Sequence, residues 1–272
     1  DDEVILASVD YYYNADSKNT NNDYDLKVRF GEYNTDSPAY LKFTIGLEKR
    51  GWDFMALSSY QGQDSTYSDD LKAYSMGFLE GAVTAEKIWN HYQNQKRFYF
   101  FDEPNFEMPK STRTFLERNA EFIRTKGAQA NEAEDPYWYH ANLIHRQLEG
   151  MLKGYNSMME ESKQLTLEDL NVCNARGDLS ELAYYNKSLR PNFDKMSSEE
   201  IFNHIEDNSH CSALIKIAPD FSDVWFGHNT WTNFSSMMRI FKEVRFQSNN
   251  KTEKCKTVAF SGYPGVITTI DD

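Results

Sequence analysis

An α+β fold is predicted by how the apolar period changes along the 272 residues: strand-like at the start, helical through the middle, and strand-like again from Cys211. Val4-Ile5-Leu6-Ala7-Ser8-Val9 is short, apolar and β-branched. The alternating segments 26–30, 39–45 and 52–57 follow, the last after an Arg50-Gly51 turn. Residues 60–205 then carry apolar side chains at three- and four-residue spacing. The chain is long enough for one large domain or two modest ones.

In order, polar residues 14–25 read as a loop. From Ser65 onward Leu71, Tyr74, Phe78, Ala82, Ile88 and Trp89 form one helical face, with Ser65 or Ser68 available as its cap. Gly77 and Gly81 sit four apart on this helix. Each weakens it by about 1 kcal/mol relative to alanine, so a close backbone contact is the expected reason for them. Ser111 opens a helix with Phe115, Leu116, Phe122 and Ile123 on one side and Gly127 as C-terminal cap. Asp135-Pro136 is a cap and first-turn pair for a longer helix carrying Trp138, Ile144, Leu148, Leu152 and Tyr155 inward. Thr166-Leu-Glu-Asp169 and Ser197-Ser-Glu-Glu200 are further helix starts of capping-box type.

After these helices, Cys211–Ile217 and Val224–Phe226 flank the turn Ala218-Pro219-Asp220 and predict a β-hairpin. Residues 230–245 read as a helix with Phe234, Met237, Met238 and Phe241 spaced for burial. Strands are expected at 257–260 and 266–270, either side of Gly262-Tyr263-Pro264-Gly265. There is no repeat and no low-complexity tract.

Acidic residues outnumber basic ones 42 to 29, for a net charge of −13, which excludes a generic electrostatic grip on nucleic acid or anionic bilayers. No run of eighteen apolar residues is present, so no transmembrane segment is expected. The chain opens on Asp1-Asp2-Glu3 without the features of a targeting signal, as a protein that has lost its leader or been trimmed would. The sequons at Asn186, Asn233 and Asn250 are glycosylation candidates of the kind a secretory-pathway protein displays. The cysteines are Cys173, Cys211 and Cys255, an odd number that leaves a thiol over in an oxidising compartment. A Cys173–Cys255 pair would leave Cys211, although any one cysteine also reads as a small buried hydrophobe.

Cys211 starts a strand directly after the polar stretch Glu206-Asp207-Asn208-Ser209-His210. If the His210–Cys211 bond is cut, Cys211 acquires an α-amino group of ordinary pKa about 7.7–8.0, so that one residue supplies nucleophile and general base. The hairpin would return His228 close to Cys211, where it could orient the thiol, assist proton transfer or bind a carbonyl group. A strand-end histidine with an ordinary partner fits the same residues. Trp231 would cover the region with an apolar face, core packing being its plain alternative.

These blocks carry a resemblance. His210-Cys-Ser-Ala-Leu-Ile-Lys216, Gly227-His-Asn-Thr-Trp231 and Ser236-Met-Met-Arg239 are similar to the phospholipase B-like family, as are several other segments. Among these are Gly51-Trp52, Ala73-Tyr74, Gly77-Phe-Leu-Glu-Gly81, Leu165-Thr166, Gly177-Asp-Leu179 and Ser261-Gly-Tyr-Pro-Gly265. The resemblance implies an αββα N-terminal-nucleophile hydrolase sandwich, here incomplete and represented by its N-terminal half. It implies autoproteolysis before Cys211, pocket roles for His228 and Trp231, and a division into portions 1–210 and 211–272. The implied partners are a phospholipid or other acyl substrate and the C-terminal remainder of the precursor, which would supply the oxyanion residues. The implied setting is secreted or lysosomal, and no cofactor is implied.

Two other readings stay open: an amidase on small N-acyl or peptide substrates, and a non-catalytic secreted binding glycoprotein with a degenerate hydrolase fold. A metal site from His204, His210, Cys211 and His228 lacks the close ligand pairs of zinc sites. A serine triad lacks its Gly-x-Ser-x-Gly elbow.

Overall fold

The computed structural model describes residues 2–12, 24–62, 66–183, 190–207, 211–231, 233–249 and 257–267. They fall into two units, one of Asp1–Asn174 with Met238–Thr269 and the other spanning Ala175–Met237.

The larger unit is built on a mixed six-stranded sheet: β1 (Glu3–Tyr11), β2 (Leu26–Phe30), β3 (Ala39–Ile45), β4 (Asp53–Ser59), β7 (Ile240–Arg245) and β8 (Thr257–Gly262). The spatial order is β2-β1-β3-β4-β7-β8. Every pairing is antiparallel except that of β4 with β7. The early strands form as their alternation predicts, because Ala7, Val9, Leu41, Phe43, Met55 and Leu57 all point to one buried face. The turn into β4 is α1 (Leu47–Arg50), closed by Gly51 at φ 76°.

Across that face lies α2 (Asp69–Val83), whose Leu71, Tyr74, Phe78 and Leu79 join the sheet's core cluster. Ser68 caps it, accepting a hydrogen bond from the Leu71 amide. Nearly every side of α2 is buried, since α5 (Pro136–Met158) packs on it as well. The α2–α5 contact is made by glycines: a Cβ on Gly77, Gly81, Gly150 or Gly154 would collide with a backbone carbonyl of the opposite helix. The suspicion that Gly77 and Gly81 mark a close backbone approach is therefore met.

The sequence reading of α5 is right at Tyr155, which is fully buried, and wrong at Ile144, which is exposed, while Trp138, Leu148 and Leu152 are half-buried. The buried residues are Leu143, His145, Arg146, Gly150, Met151, Gly154 and Tyr155. Its start is as expected, with the Asp135 carboxylate accepting from the Trp138 amide. The single helix expected from residue 65 onward is two, because Thr84 breaks the run between α2 and α3 (Ala85–Tyr99). Ser65 itself lies outside the described residues. In α4 (Lys110–Gly127), Gly127 is the last helical residue rather than a cap beyond it, and it is buried where a Cβ would meet Asn142. Both capping boxes form. Thr166 and Asp169 exchange hydrogen bonds at α6 (Leu167–Asn174), as do Ser197 and Glu200 at α8 (Ser198–Asp207). Between these two helices runs α7 (Arg176–Ala183).

A helix over 230–245 does not form. A short 3-10 turn at Phe234–Ser236 gives way to β7, whose Ile240, Lys242 and Val244 point inward. The inward Lys242 is what hides the strand's alternation. Its ammonium is 1% exposed and donates to Glu80 Oε1 at 2.6 Å and to the Val266 carbonyl. The strand expected at 266–270 is absent where it is described. Val266 is buried in a turn, its amide donating to Tyr263 O, and residues 268–270 lie outside the described set.

Polar groups also fasten α5 to α2. Arg146 donates to Asp70 at 3.0 Å and to Glu149, and its guanidinium lies 4.7 Å from the Tyr74 ring centre. Burial pushes the Glu149 carboxyl up, but His145 and Arg146 outweigh that and hold it at about 2. This carboxylate's folded pKa is depressed, so its stabilisation is full above about pH 4.5 and fades as pH falls towards 2. Glu149→Gln is accordingly expected to lower stability by about 2 kcal/mol at pH 5, after allowance for partial solvent screening. The gap should close by about pH 2. Denaturant melts of both proteins across that range check it, and a pH-independent gap would refute the assignment.

Candidate functional site around Cys211

The smaller unit contains the predicted hairpin, β5 (Cys211–Ile217) and β6 (Val224–Thr230). They pair antiparallel around a turn in which the Asp220 carboxylate accepts from the Ser222 amide and hydroxyl, and Phe221 adopts φ 58°. Cys211 is the first strand residue and stands opposite Thr230, while His228 stands opposite Ala213. Residues directly opposite share a face and successive residues alternate, so Cys211, Ala213, His228 and Thr230 all lie on one face. Cys211 and His228 are thus diagonal neighbours, a separation of roughly 7–8 Å between backbones that two side chains can span.

Cys211 is half-buried and Trp231, one residue past the strand, is 66% exposed. His210 lies outside the described residues, as do Asn186, Asn250 and Cys255. Cys173 is fully buried on α6. Asn233 is half-buried, and its side-chain oxygen accepts a hydrogen bond from Ser235 of its own sequon. Among the described residues, no group of three or more His, Cys, Asp or Glu is placed to hold a metal ion, and no helix is long and apolar enough to cross a membrane.

The hairpin is apolar on both faces and exposed. Ile215 and Phe226 on the Cys211 face are 71% and 83% exposed, and Leu214 on the other is 69% exposed. Sequence reasoning brings Cys211 and His228 together on the hairpin but does not single out Thr230, which shares their face. Counting outward from the turn would have placed it, because Cys211 and Thr230 are the outermost pair of the ladder.

The family model for phospholipase B matches residues 39–272, which include the hairpin and most of the sheet. The chain belongs to the phospholipase B family. Curated relatives agree. Phospholipase B-like protein D of Dictyostelium discoideum is 32% identical over 244 residues, covering 87% of this chain and 41% of the relative. Phospholipase B-like 1 of Rattus norvegicus is 30% identical over 236 residues, covering 86% of this chain and 41% of the relative. Phospholipase B of Crotalus adamanteus is 28% identical, covering 86% of this chain and 42% of the relative. This phospholipase B-family chain therefore spans about two fifths of the length of the curated relatives it matches.

Proposed function

We propose that this chain is the N-terminal portion of a phospholipase B-type hydrolase that deacylates a lipid through Cys211, after scission of the His210–Cys211 bond. The observation that carries this reading is the placement of Cys211 as the first residue of β5, on the same face as His228. A nucleophile that also serves as its own base must be the first residue of a peptide, and it must sit on a rigid element facing its partners. Family membership supports a hydrolase of this kind.

In the proposed reaction the Cys211 thiol gives its proton to the freed α-amine, and the thiolate attacks the acyl carbonyl. The acyl–Sγ bond forms as the carbon–oxygen bond to the leaving alcohol breaks, and the ammonium returns the proton to that alcohol. Water, deprotonated by the same amine, then hydrolyses the thioester to free acid and thiol. His228 assists by holding the thiol or the carbonyl group, and Trp231 lines the acyl approach. Before scission the Cys211 nitrogen is an amide and cannot act as base, so the uncut chain is a zymogen.

The two portions, 1–210 and 211–272, are the segments either side of that cut. The remainder of a longer precursor completes an αββα N-terminal-nucleophile sandwich. Support comes from the exposed apolar hairpin, since two strands alone are marginally stable in water. Glycans at Asn186, Asn233 and Asn250 and a secreted or lysosomal setting go with this reading.

N-terminal sequencing of mature protein should find a second terminus beginning Cys-Ser-Ala-Leu. Cys211→Ala should abolish both the cut and acyl hydrolysis while leaving the fold intact. Mature protein that turns over lipid with the bond whole, or a Cys211→Ala variant that keeps its activity, would sink the proposal. A folded mature protein without hydrolysis of ester or amide would instead mark a binding glycoprotein.

A further inference from the structure

In a chain of net charge −13, α4 stands out as basic: its sequence holds five Lys and Arg against two Glu. The distribution around the helix matters more than the count. At about 3.6 residues per turn, Phe115, Arg118, Phe122 and Lys126 run up one flank, whereas Glu117 and Glu121 project from the opposite flank. Leu116, Ala120 and Gly127 are the residues buried along the helix. That basic flank is therefore open and carries no carboxylate of α4.

Its aromatic rings are half in solvent. Phe115 is 45% and Phe122 49% exposed, and the stripe extends onto α5, where Trp138 meets Phe122 edge to face at 5.3 Å. Lys126 lies 5.9 Å from the Phe122 ring centre, with its ammonium beside the apolar stripe. Exposed rings interleaved with cations along one helix flank, with Leu116, Ala120 and Gly127 seating another side of the helix on protein, are the pattern of a segment lying at a bilayer's headgroup level. There the rings enter the headgroup–acyl boundary while the cations meet lipid phosphates.

We propose that the Phe115–Lys126 flank of α4 docks the protein on an anionic phospholipid surface. Charge complementarity selects this occupant. A wholly apolar partner would leave Arg118 and Lys126 without counter-charges, and a nucleic acid would leave the rings without an apolar medium. The overall negative charge repels such a surface at long range, so attraction operates only within a Debye length, about 8 Å at physiological salt. This docking does not depend on Cys211 being a nucleophile, because it is read by binding and not by turnover.

The test is co-sedimentation of the full-length protein with phosphatidylserine–phosphatidylcholine vesicles and with pure phosphatidylcholine vesicles. Binding is expected to the first, weakly or not at all to the second, and to decline with added salt. Arg118→Glu with Lys126→Glu changes only exposed side chains and should weaken binding at least about 30-fold. Phe115→Ser, at the end of the stripe away from Trp138, should weaken it further without altering charge. Equal binding to both vesicle types, or binding untouched by the charge reversal, would overturn the proposal. So would failure of the wild-type protein to sediment with either. A charge reversal that converts a dimer to a monomer without affecting vesicles would instead assign the flank to a second copy.

Discussion

Gly77→Ala is expected to destabilise the fold by about 3 kcal/mol, although alanine is the better helix former by about 1 kcal/mol. The added methyl would occupy space now held by the Gln147 carbonyl of α5, with the Met151 amide close behind it. Both obstacles are backbone, so neither can rotate away, and α2 and α5 must separate along the line of contact. That line continues through Gly81 against Met151, Gly150 against Tyr74 and Gly154 against Phe78. Separation would therefore loosen every contact between the helices, including the Arg146–Asp70 pair. Gly154→Leu should prevent folding outright. Gly227→Ala is the control, since nothing lies within 4 Å of its added carbon, and it should change stability by less than about 0.5 kcal/mol. Denaturant melts of the purified proteins, with yield as a second readout, give the comparison. If Gly77→Ala proved as neutral as Gly227→Ala, the helices would be further apart than described.

The glycine seam also shows what a sequence hides. Strand β1 was legible as a short apolar, β-branched run and β2 to β4 by their alternation, and both capping boxes were legible because their chemistry is local. The buried face of α5 was legible only in part, at Tyr155, since hydrophobic periodicity ignores the small residues Gly150 and Gly154 that make the contact. The break at Thr84 was invisible because apolar residues continue on both sides of it. In β7 the inward lysine gave the pattern of an exposed position, and Phe234, Met237, Met238 and Phe241 fell by chance at helical spacing. Lys242 can point inward only because Glu80 awaits it from a helix 162 positions earlier, a pairing that leaves no local mark. The candidate site followed the same rule. That His228 returns towards Cys211 followed from the expected hairpin, while groups contributed by distant segments leave no such trace.

The larger unit should stay in one piece when the chain is cut between Asp207 and Cys211, because residues from both sides of that point share its sheet and core. β7 lies parallel beside β4, and the pairing is flanked by buried polar contacts. Lys72 donates to Gln247 O and to Asn249 at 2.9 Å, and Asp69 accepts from Ser248 and from the Asn249 amide. His91 contacts the Pro264 carbonyl at 2.7 Å, and Asn174 donates to Gly265 O at 2.8 Å. Lys242–Glu80 is a deeply buried ion pair among these links, at 1% and 2% exposure. Lys242→Met removes the charge at nearly constant volume and leaves Glu80 buried with no counter-ion, which is expected to cost about 3–5 kcal/mol. Adding Glu80→Leu should restore a large part of that loss, because it removes the stranded carboxylate, and coupled neighbours are not additive. With a protease site engineered before Cys211, the cut wild-type pieces should co-elute under native conditions and separate only in denaturant. The cut Lys242→Met protein should separate without it. Pieces of the wild type that part on cutting, or a double variant no more stable than Lys242→Met, would show that the association does not rest on this buried pair. Because the cut is made by an added protease, the outcome is independent of whether Cys211 cleaves its own chain.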